Sequence, residues 1–525
     1  MKLTIHQFPS HPSEHSMRSS SLRAISVLAI AALLAPACGS DRESADSTSP
    51  STSGPQATTS TPATTSTPAT TTPAPGSTVD TSAVATTADA VTTSVVETTA
   101  TVPDVPMFGD APWPCGPSTT PNKDDGAEVG VTADSVAIAS GDDAGYSGAP
   151  GLSHEIMDAM KPMVAKCNEL GGINGRQIAL NYYDAALFNV GPAIQSACDD
   201  KNLFLVGEGW AFDSNQEETR LACGLPAVPT YTVSAAFAMG KDVYQATPNP
   251  ADETPGGWFA MLAKQFPDAV QHVGAMAAAF PATQETRDKV LEAAPKFGWN
   301  FALTNLEYNP VGESDWTPFV KQLQDAGATA VNYTGSCLPS LQLFAQAAQA
   351  NGLDVPIFAD TNNYLADCAA ANTDGAMDNL YVRSAFVPFE EADVNKATKD
   401  YLDLVNASGG DTALLGAQAT ASFLLWATAA SACGDTLTRA CTLTNLENTH
   451  SWTGHGLHAE SDPGANHPGS CTMLMKLDGT KYVRVAPTEP GSFECDPASV
   501  VPITSTAALA AAKLDADRIS QQFAK

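Results

Sequence analysis

The alternation of short apolar runs with longer amphipathic runs constrains the fold more than any other feature of the chain. The short runs have strand length and predict β-strands at 135–139, 178–182, 203–206, 227–230, 270–276, 301–306, 328–333, 355–358 and 380–382. Strands that are separated by helices are joined in the parallel sense, because the crossover returns the chain to the same edge of the sheet. The pattern therefore predicts parallel sheets that are covered by helices on both faces.

The longer runs have helical spacing. In the stretch 154–170, apolar side chains recur at intervals that place them on one face of a helix. These side chains are Ile156, Met160, Met163, Val164 and Cys167. Further helices are predicted at 253–266, 283–297, 317–326, 338–351, 393–405 and 413–433. A chain of 525 residues exceeds one compact α/β unit, so two lobes with tails are expected.

The N-terminal region carries the features of an export signal. An apolar run at 24–34 is too short to cross a membrane but suits the hydrophobic part of a signal peptide. It ends in small residues followed by Cys38, which resembles the bacterial lipobox, where the cysteine is lipidated. We therefore predict a lipoprotein signal peptide over 1–38. A plain secretory signal with a chance cysteine is the alternative, and Met17 is an alternative start.

The segment that follows has the composition of a linker. Residues 39–105 are dominated by Ser, Thr, Pro and Ala, and aromatic residues are absent from them. Such a stretch buries too little apolar surface to offset the entropy of ordering it. We expect a disordered tether with a root-mean-square reach of roughly 45 Å.

The charge balance excludes several classes of partner. The chain has 57 acidic residues against 26 Lys and Arg, which gives a formal net charge of −31. Such a surface repels both phosphate backbones and anionic lipid headgroups. Nucleic acid is therefore not an expected partner, and attachment to a membrane is expected to be covalent or inserted.

Ten of the 11 cysteines remain after Cys38, and an even number in an exported chain indicates disulfides. None has the C-x-x-C spacing of a zinc site. The sequence leaves the connectivity open, and we prefer pairs that join elements adjacent in an α/β order. The preferred pairs are Cys198–Cys223, Cys337–Cys368, Cys433–Cys441 and Cys471–Cys495, with Cys115–Cys167 as the remainder.

One part of the pattern is more specific. The first strand opens with GVTADSV at 130–136, and the first helix is followed by NELGGINGR at 168–176. The next strand ends in Tyr-Tyr-Asp at 182–184. In this order and spacing, the motifs resemble the type I periplasmic binding proteins, in particular the branched-chain amino acid (leucine/isoleucine/valine) receptor family. The resemblance runs from about residue 128 to 500 and is architectural after Phe280.

The resemblance implies an α/β architecture of the Venus-flytrap type. Two Rossmann-like lobes, each a parallel sheet flanked by helices, would be joined by three crossover segments. Lobe 1 would comprise 128–245 and 385–440, and lobe 2 would comprise 246–384 and 441–500. Residues 501–525 would form a C-terminal tail or helix.

In such a fold, solutes bind at the carboxyl ends of the strands, facing the cleft. The loops after the strands therefore hold the candidate ligand-binding residues. These are Tyr146, Ser147, Gly148, Glu208, Trp210, Thr230, Tyr231, Thr232, Phe280, Ser336, Asp360 and Asn362. For any one of them, a solvated or structural loop position is the alternative. For Trp210 and Tyr146 we expect stacking on the solute, because cleft-facing aromatic rings grip small solutes well.

Relatives that bind amino acids hold the carboxylate with hydroxyls and backbone N–H groups, and the ammonium with an acid of lobe 2. The resemblance implies that Ser147, Thr230 and Thr232 could contact a carboxylate. Asp360 is the best placed acid of lobe 2.

Other groups of residues do not indicate a metal site or a catalytic site. His450, His455, His458 and His467 lie in a Gly- and Asp-rich stretch, which we interpret as a surface loop rather than a metal site. The sequence has no H-E-x-x-H, G-x-S-x-G or Walker-type motif in the required context. We therefore expect no catalytic residues, no metal and no cofactor.

Two functions remain open. The first is an exported solute-binding protein on the outer face of the cytoplasmic membrane, which captures a small polar solute for an ABC permease. The solute would be an amino acid or a related amide or carboxylate. The second is a sensory or scavenging receptor of the same fold without a transporter. An enzyme is not expected, and the fold does not determine the solute.

Overall fold

The computed structural model describes residues 105–123, 128–505, 507–515 and 519–520. The predicted signal peptide with Cys38, and the tether up to residue 104, lie outside the described residues. Within the described part, no helix combines the length and the apolar character needed to span a bilayer.

The described chain alternates strands and helices over most of its length. The strands are β1 Met107–Phe108, β2 Ala111–Pro112, β3 Ser135–Asp142, β4 Gln177–Asp184, β5 Phe204–Val206, β6 Ala227–Val228, β7 Glu253–Pro255, β8 Val273–Ala278, β9 Phe301–Tyr308, β10 Ala330–Thr334, β11 Ile357–Ala359, β12 Leu380–Ser384, β13 Cys471–Asp478, β14 Lys481–Ala486, β15 Glu494–Cys495 and β16 Val500–Pro502. The helices are α1 Glu155–Glu169, α2 Val190–Asp199, α3 Glu217–Ala222, α4 Ala235–Ala238, α5 Gly257–Gln265, α6 Pro281–Ala293, α7 Thr317–Asp325, α8 Gln342–Ala350, α9 Ala366–Ala371, α10 Lys396–Ser408, α11 Leu414–Ser431, α12 Arg439–Glu447 and α13 Ala507–Ala512.

Lobe 1 is built on a parallel sheet with the strand order β4-β3-β5-β6. The strands β3, β5 and β6 are buried on both faces over most of their length, as their continuous apolar runs predict, whereas the edge strand β4 is partly exposed. Ile138 packs in one cluster with Met160 of α1, whereas its neighbour Ala139 packs in another with Ile194 of α2. Successive side chains of β3 therefore supply the two faces of the lobe.

Lobe 2 has a larger, mixed sheet. The strands β9-β8-β10-β11-β12 are parallel, and β13 and β14 extend the sheet in the antiparallel sense. Its core contains a cluster of large aromatic side chains, among them Trp258, Phe259, Trp299 and Phe358. The two sheets confirm the predicted fold class.

The chain passes between the two sheets at three places: between β6 and β8, between β12 and α10, and between α12 and β13. The last passage differs in position from the expected one. α12 packs against α11, and its first residue, Arg439, donates to the lobe 1 carbonyls of Leu203, Asn202 and Gly224. The boundary that we expected at residue 440 therefore falls inside a helix of lobe 1.

Both ends of the described chain pack onto the lobes. The backbone N–H of Gly109 donates to Asp400 of α10, and the side chain of Asn122 donates to the Asn174 carbonyl. Residues 105–123 thus extend lobe 1 beyond its expected start at 128. At the other end, β16 pairs with β7, and α13 packs against α4.

The described residues contain five disulfides, and these join the cysteine pairs that the sequence analysis preferred. Three join parts of lobe 1 and two join parts of lobe 2. They are Cys115–Cys167, Cys198–Cys223, Cys433–Cys441, Cys337–Cys368 and Cys471–Cys495.

Candidate functional site

Four aromatic rings form a continuous row where loops of the two lobes meet. Tyr146 follows β3, Phe188 follows β4, Phe212 follows β5, and Phe280 follows β8 of lobe 2. Successive ring centroids lie 5.8, 5.6 and 5.9 Å apart. The Phe188 side chain is 65% exposed, which is far above the level of a core residue. We call these four residues the aromatic row.

A buried carboxylate, Asp143, holds three of the loops that carry the row. Its Oδ1 accepts the N–H of Leu187 at 2.9 Å, and its Oδ2 accepts the N–H of Ala211 at 2.8 Å. The N–H of Tyr146 donates to the Asp143 carbonyl at 3.0 Å. Burial raises the pKa of Asp143 to about 6. One side chain therefore positions Phe188 and Phe212 through the residues that precede them.

The preceding residue, Asp142, braces the same edge of the sheet. Its Oδ1 accepts the hydroxyl of Tyr182 at 2.6 Å, and its Oδ2 contacts Nδ1 of His154 at 2.9 Å. Burial raises the pKa of Asp142, although these contacts act in the opposite direction. The contacts fasten α1 and β4 to the end of β3.

Trp210 does not stack on a solute, which corrects our expectation. Its side chain is 1% exposed, and its Nε1 donates to the Asp142 carbonyl at 3.0 Å. A Cβ on Gly141 would lie 2.6 Å from its ring, so the indole fills space beneath the strand end. The role that we assigned to Trp210 is therefore structural. Tyr146, by contrast, is half-buried and belongs to the aromatic row.

The two threonine hydroxyls are buried and already bonded within lobe 1. Thr230 donates to the Gly207 carbonyl at 2.8 Å, and Thr232 donates to Oε1 of Gln245 at 2.6 Å. Tyr231 between them is half-buried, and burial raises its pKa well above the ordinary value. The two hydroxyls therefore stabilise the loop after β6 rather than presenting free polar groups.

Glu208 lies at the end of β5 and is fully buried. Neither of its carboxylate oxygens has a hydrogen-bond partner among the described residues. Burial raises its pKa to about 8, and the nearby charge of Arg220 only partly opposes this. Burial therefore favours the protonated form of this carboxyl group.

Ser147 and Gly148 lie on the exposed part of the loop after β3. A Cβ on Gly148 would lie 2.5 Å from the Tyr146 ring, so only glycine allows this close approach. The structure thus places Ser147 and Gly148 beside the first ring of the aromatic row.

Two of the polar candidates of lobe 2, Asp360 and Asn362, bond to other residues of that lobe. Asp360 pairs with Arg383 at 2.9 Å, and its Oδ1 accepts the N–H of Thr361 at 2.6 Å. Burial alone would raise the pKa of Asp360, but Arg383 and Thr361 bring it below its ordinary value. Asn362 donates to the Gly335 carbonyl at 3.0 Å, and Ser336 is exposed. Phe280 alone among these candidates joins the row.

A second contact joins the lobes near the end of the row. Glu285 of α6 accepts the N–H of Ala235 of lobe 1 at 3.1 Å. Asp213, one residue after Phe212, accepts the N–H groups of Val233 and Ser234. Burial raises the pKa of Asp213 to about 7, and that of Glu285 is also raised by burial. A small pocket adjoins this contact, lined by Val233, Ala235, Ala238, Asn249, Ala251, Glu285, Thr286 and Lys289.

Our sequence analysis missed Phe188, Phe212, Asp143 and Glu285. The first two follow predicted strands, so the rule that selected Tyr146 and Phe280 could have found them. The acids offered no comparable signal, because their role depends on backbone N–H groups of distant loops.

The fold and the cleft define a two-lobed binding protein. The family model described as Periplasmic binding protein matches residues 139–481, and the chain belongs to this family. Its members are solute-binding proteins of the extracytoplasmic space and not enzymes, which confirms the expectation that this chain is no enzyme. No curated protein matches the chain in sequence.

Solved structures share the fold at low identity. LivJ from Streptococcus pneumoniae, solved with isoleucine, is 16% identical with a TM-score of 0.55, over 67% of this chain and 100% of that one. The leucine-binding protein LivK from Thermotoga maritima is 14% identical with a TM-score of 0.56, over 67% and 97%. A fatty acid ABC transporter substrate-binding protein from Thermomonospora curvata is 14% identical with a TM-score of 0.55, over 72% and 96%. The family-level resemblance inferred from the sequence is confirmed.

Proposed function

We propose that the protein captures a small solute between its lobes for an ABC permease, while a lipid on Cys38 anchors it to the outer face of the cytoplasmic membrane. The observation that carries this proposal is the aromatic row, in which three rings of lobe 1 meet Phe280 of lobe 2. A solute that lies against these rings would contact both lobes and favour the closed arrangement. A receptor without a transporter remains the second candidate, because capture by the cleft is common to both.

The proposed binding site is tested by a ligand screen on the wild-type protein and two variants. A solute at a hundred times its dissociation constant adds about 2.7 kcal/mol to the free energy of unfolding, which a melting curve detects. We expect Phe188→Ala to weaken binding by about tenfold, because an exposed ring of the row is lost. Leu343→Ala is the matched control, since Leu343 is an exposed apolar residue of α8 and lies outside the row.

The control should bind like the wild type. Equal loss of affinity in both variants, or none in Phe188→Ala, would contradict the proposed site. Solute uptake is then compared between cells with and without the protein. Loss of uptake without the protein indicates a transporter component, and unchanged uptake indicates a receptor without a transporter. Fractionation of Cys38→Ser tests the anchor, because the variant should leave the membrane or remain unprocessed.

A further inference from the structure

The loops at the cleft have an unusual charge pattern. The segments that follow the strands and surround the aromatic row contain neither Lys nor Arg. These segments are 143–154, 185–189, 207–216, 229–234, 279–283 and 335–341. A site that recognises a carboxylate or phosphate by charge uses Arg or Lys for the purpose. This edge of the protein offers no such group.

Carboxylates lie at both ends of the row instead. Asp184 is the last residue of β4, and its Oδ1 accepts the Ala186 N–H at 2.8 Å. Its Oδ2 packs against Gly145, the residue before Tyr146, and leaves no room for a Cβ there. Asp213 and Glu285 lie at the end where Phe212 meets Phe280. The rings therefore lie between carboxyl groups, of which Asp184 is exposed, whereas burial raises the pKa of Asp213 and of Glu285.

The cations of lobe 2 near the cleft are bonded within the protein. Nζ of Lys289 donates to the Asn249 side chain and to the Pro250 carbonyl, both at 2.8 Å. Arg383 pairs with Asp360 and lies over the Trp258 ring at 5.6 Å. Lys289 lines the same pocket as Glu285 and so lies at that end of the row, whereas none of the contacts described for Asp184 involves Lys289 or Arg383.

We propose that the solute is an organic cation, an alkyl- or arylalkylammonium compound without a free carboxylate, whose body lies against the aromatic row and whose charge faces Asp184. This inference rests on the proposed function and specifies its substrate class. Aromatic faces attract an ammonium group through the ring quadrupole, and a neighbouring carboxylate adds Coulomb attraction. A free carboxylate on the solute would meet like charge at the same place.

The experiment uses four compounds with one aromatic body and different charge: phenethylamine, 2-phenylethanol, 3-phenylpropionate and phenylalanine. Their affinities for the full-length protein are measured by calorimetry at neutral pH. We expect phenethylamine to bind most tightly and 3-phenylpropionate most weakly. Asp184→Asn should reduce the affinity for phenethylamine by about fivefold at most and leave that for 2-phenylethanol unchanged, because one exposed charge is lost.

The other possible outcomes distinguish failure of the cation inference from failure of the proposed function. If the acid or the amino acid binds more tightly than the amine and Phe188→Ala weakens it, the cation inference is overturned and the proposed function stands. If the amine binds equally well to wild type and Phe188→Ala, both are overturned. If phenethylamine does not bind, the cation inference fails, and the ligand screen tests the proposed function separately.

Discussion

The two lobes present different chemistry to the cleft. Lobe 1 brings three aromatic rings and several carboxylates to the carboxyl edge of its sheet. Lobe 2 pairs its polar residues with each other: Asp360 with Arg383, and Asn362 with the Gly335 carbonyl. Its large aromatic residues lie in the core instead, where Trp258 and Trp299 pack with centroids 5.9 Å apart. Under the proposed function, we therefore expect lobe 1 to make most of the contacts with the solute and lobe 2 to contribute mainly Phe280.

The largest expected effect separates core from cleft within lobe 1. Trp210→Ala should lower the free energy of unfolding by about 3–5 kcal/mol, because a fully buried indole leaves a cavity. Phe188→Ala should change it by less than about 0.5 kcal/mol, since its ring is largely exposed. Chemical denaturation of both variants without solute measures this contrast. A large loss of stability in Phe188→Ala would show that the ring is a structural residue.

Most of the fold could be predicted because parallel strands that are buried on both faces are continuous apolar runs. All nine predicted strands are present, with ends that shift by up to three residues. The helix predicted at 253–266 begins only at Gly257, because Glu253–Pro255 forms β7 and pairs with β16. That pairing joins segments about 250 residues apart in the chain, which no local pattern reveals.

The site was less predictable, for reasons that Trp210 and Phe188 illustrate. The sequence places Trp210 after a strand but does not determine whether its ring points into the cleft or below the sheet. Phe188 is presented by Ala186 and Leu187, which have left-handed φ angles of 45° and 72°. Such angles are uncommon for these residue types. The bond from Leu187 to Asp143 holds this turn in place, and that bond is a tertiary contact.

The second prediction concerns Glu208, a buried acid of lobe 1. Glu208 of lobe 1 is buried without a partner, and its pKa is raised to about 8. The folded state therefore holds its proton at pH values where the unfolded state has released it, so stability falls as pH rises from about 4.5 to 8. Glu208→Gln should remove this dependence. Its stability relative to the wild type should rise by up to about 1.4 kcal/mol per pH unit in that range.

Denaturation of Glu208→Gln and wild type at about pH 5 and pH 7.5 gives the comparison. Asp134→Asn is a control for nonspecific charge effects, because Asp134 is an exposed acid of lobe 1. Parallel pH profiles for Glu208→Gln and wild type would mean that Glu208 finds a partner in solution.

The smallest expected effect concerns Asp360, the acid of lobe 2. Arg383 keeps its pKa low, so its contribution to stability is present at neutral pH and is lost as pH falls below about 4. Asp360→Asn should cost about 1 kcal/mol at neutral pH, because the half-buried ion pair is lost while an oxygen remains for the Thr361 N–H. The cost should shrink in acid, opposite to the pH trend of Glu208. Because Asp360 already neutralises Arg383, the same substitution should change solute affinity less than Asp184→Asn does. A larger loss of affinity in Asp360→Asn would instead give lobe 2 the charged contact and remove the asymmetry between the lobes.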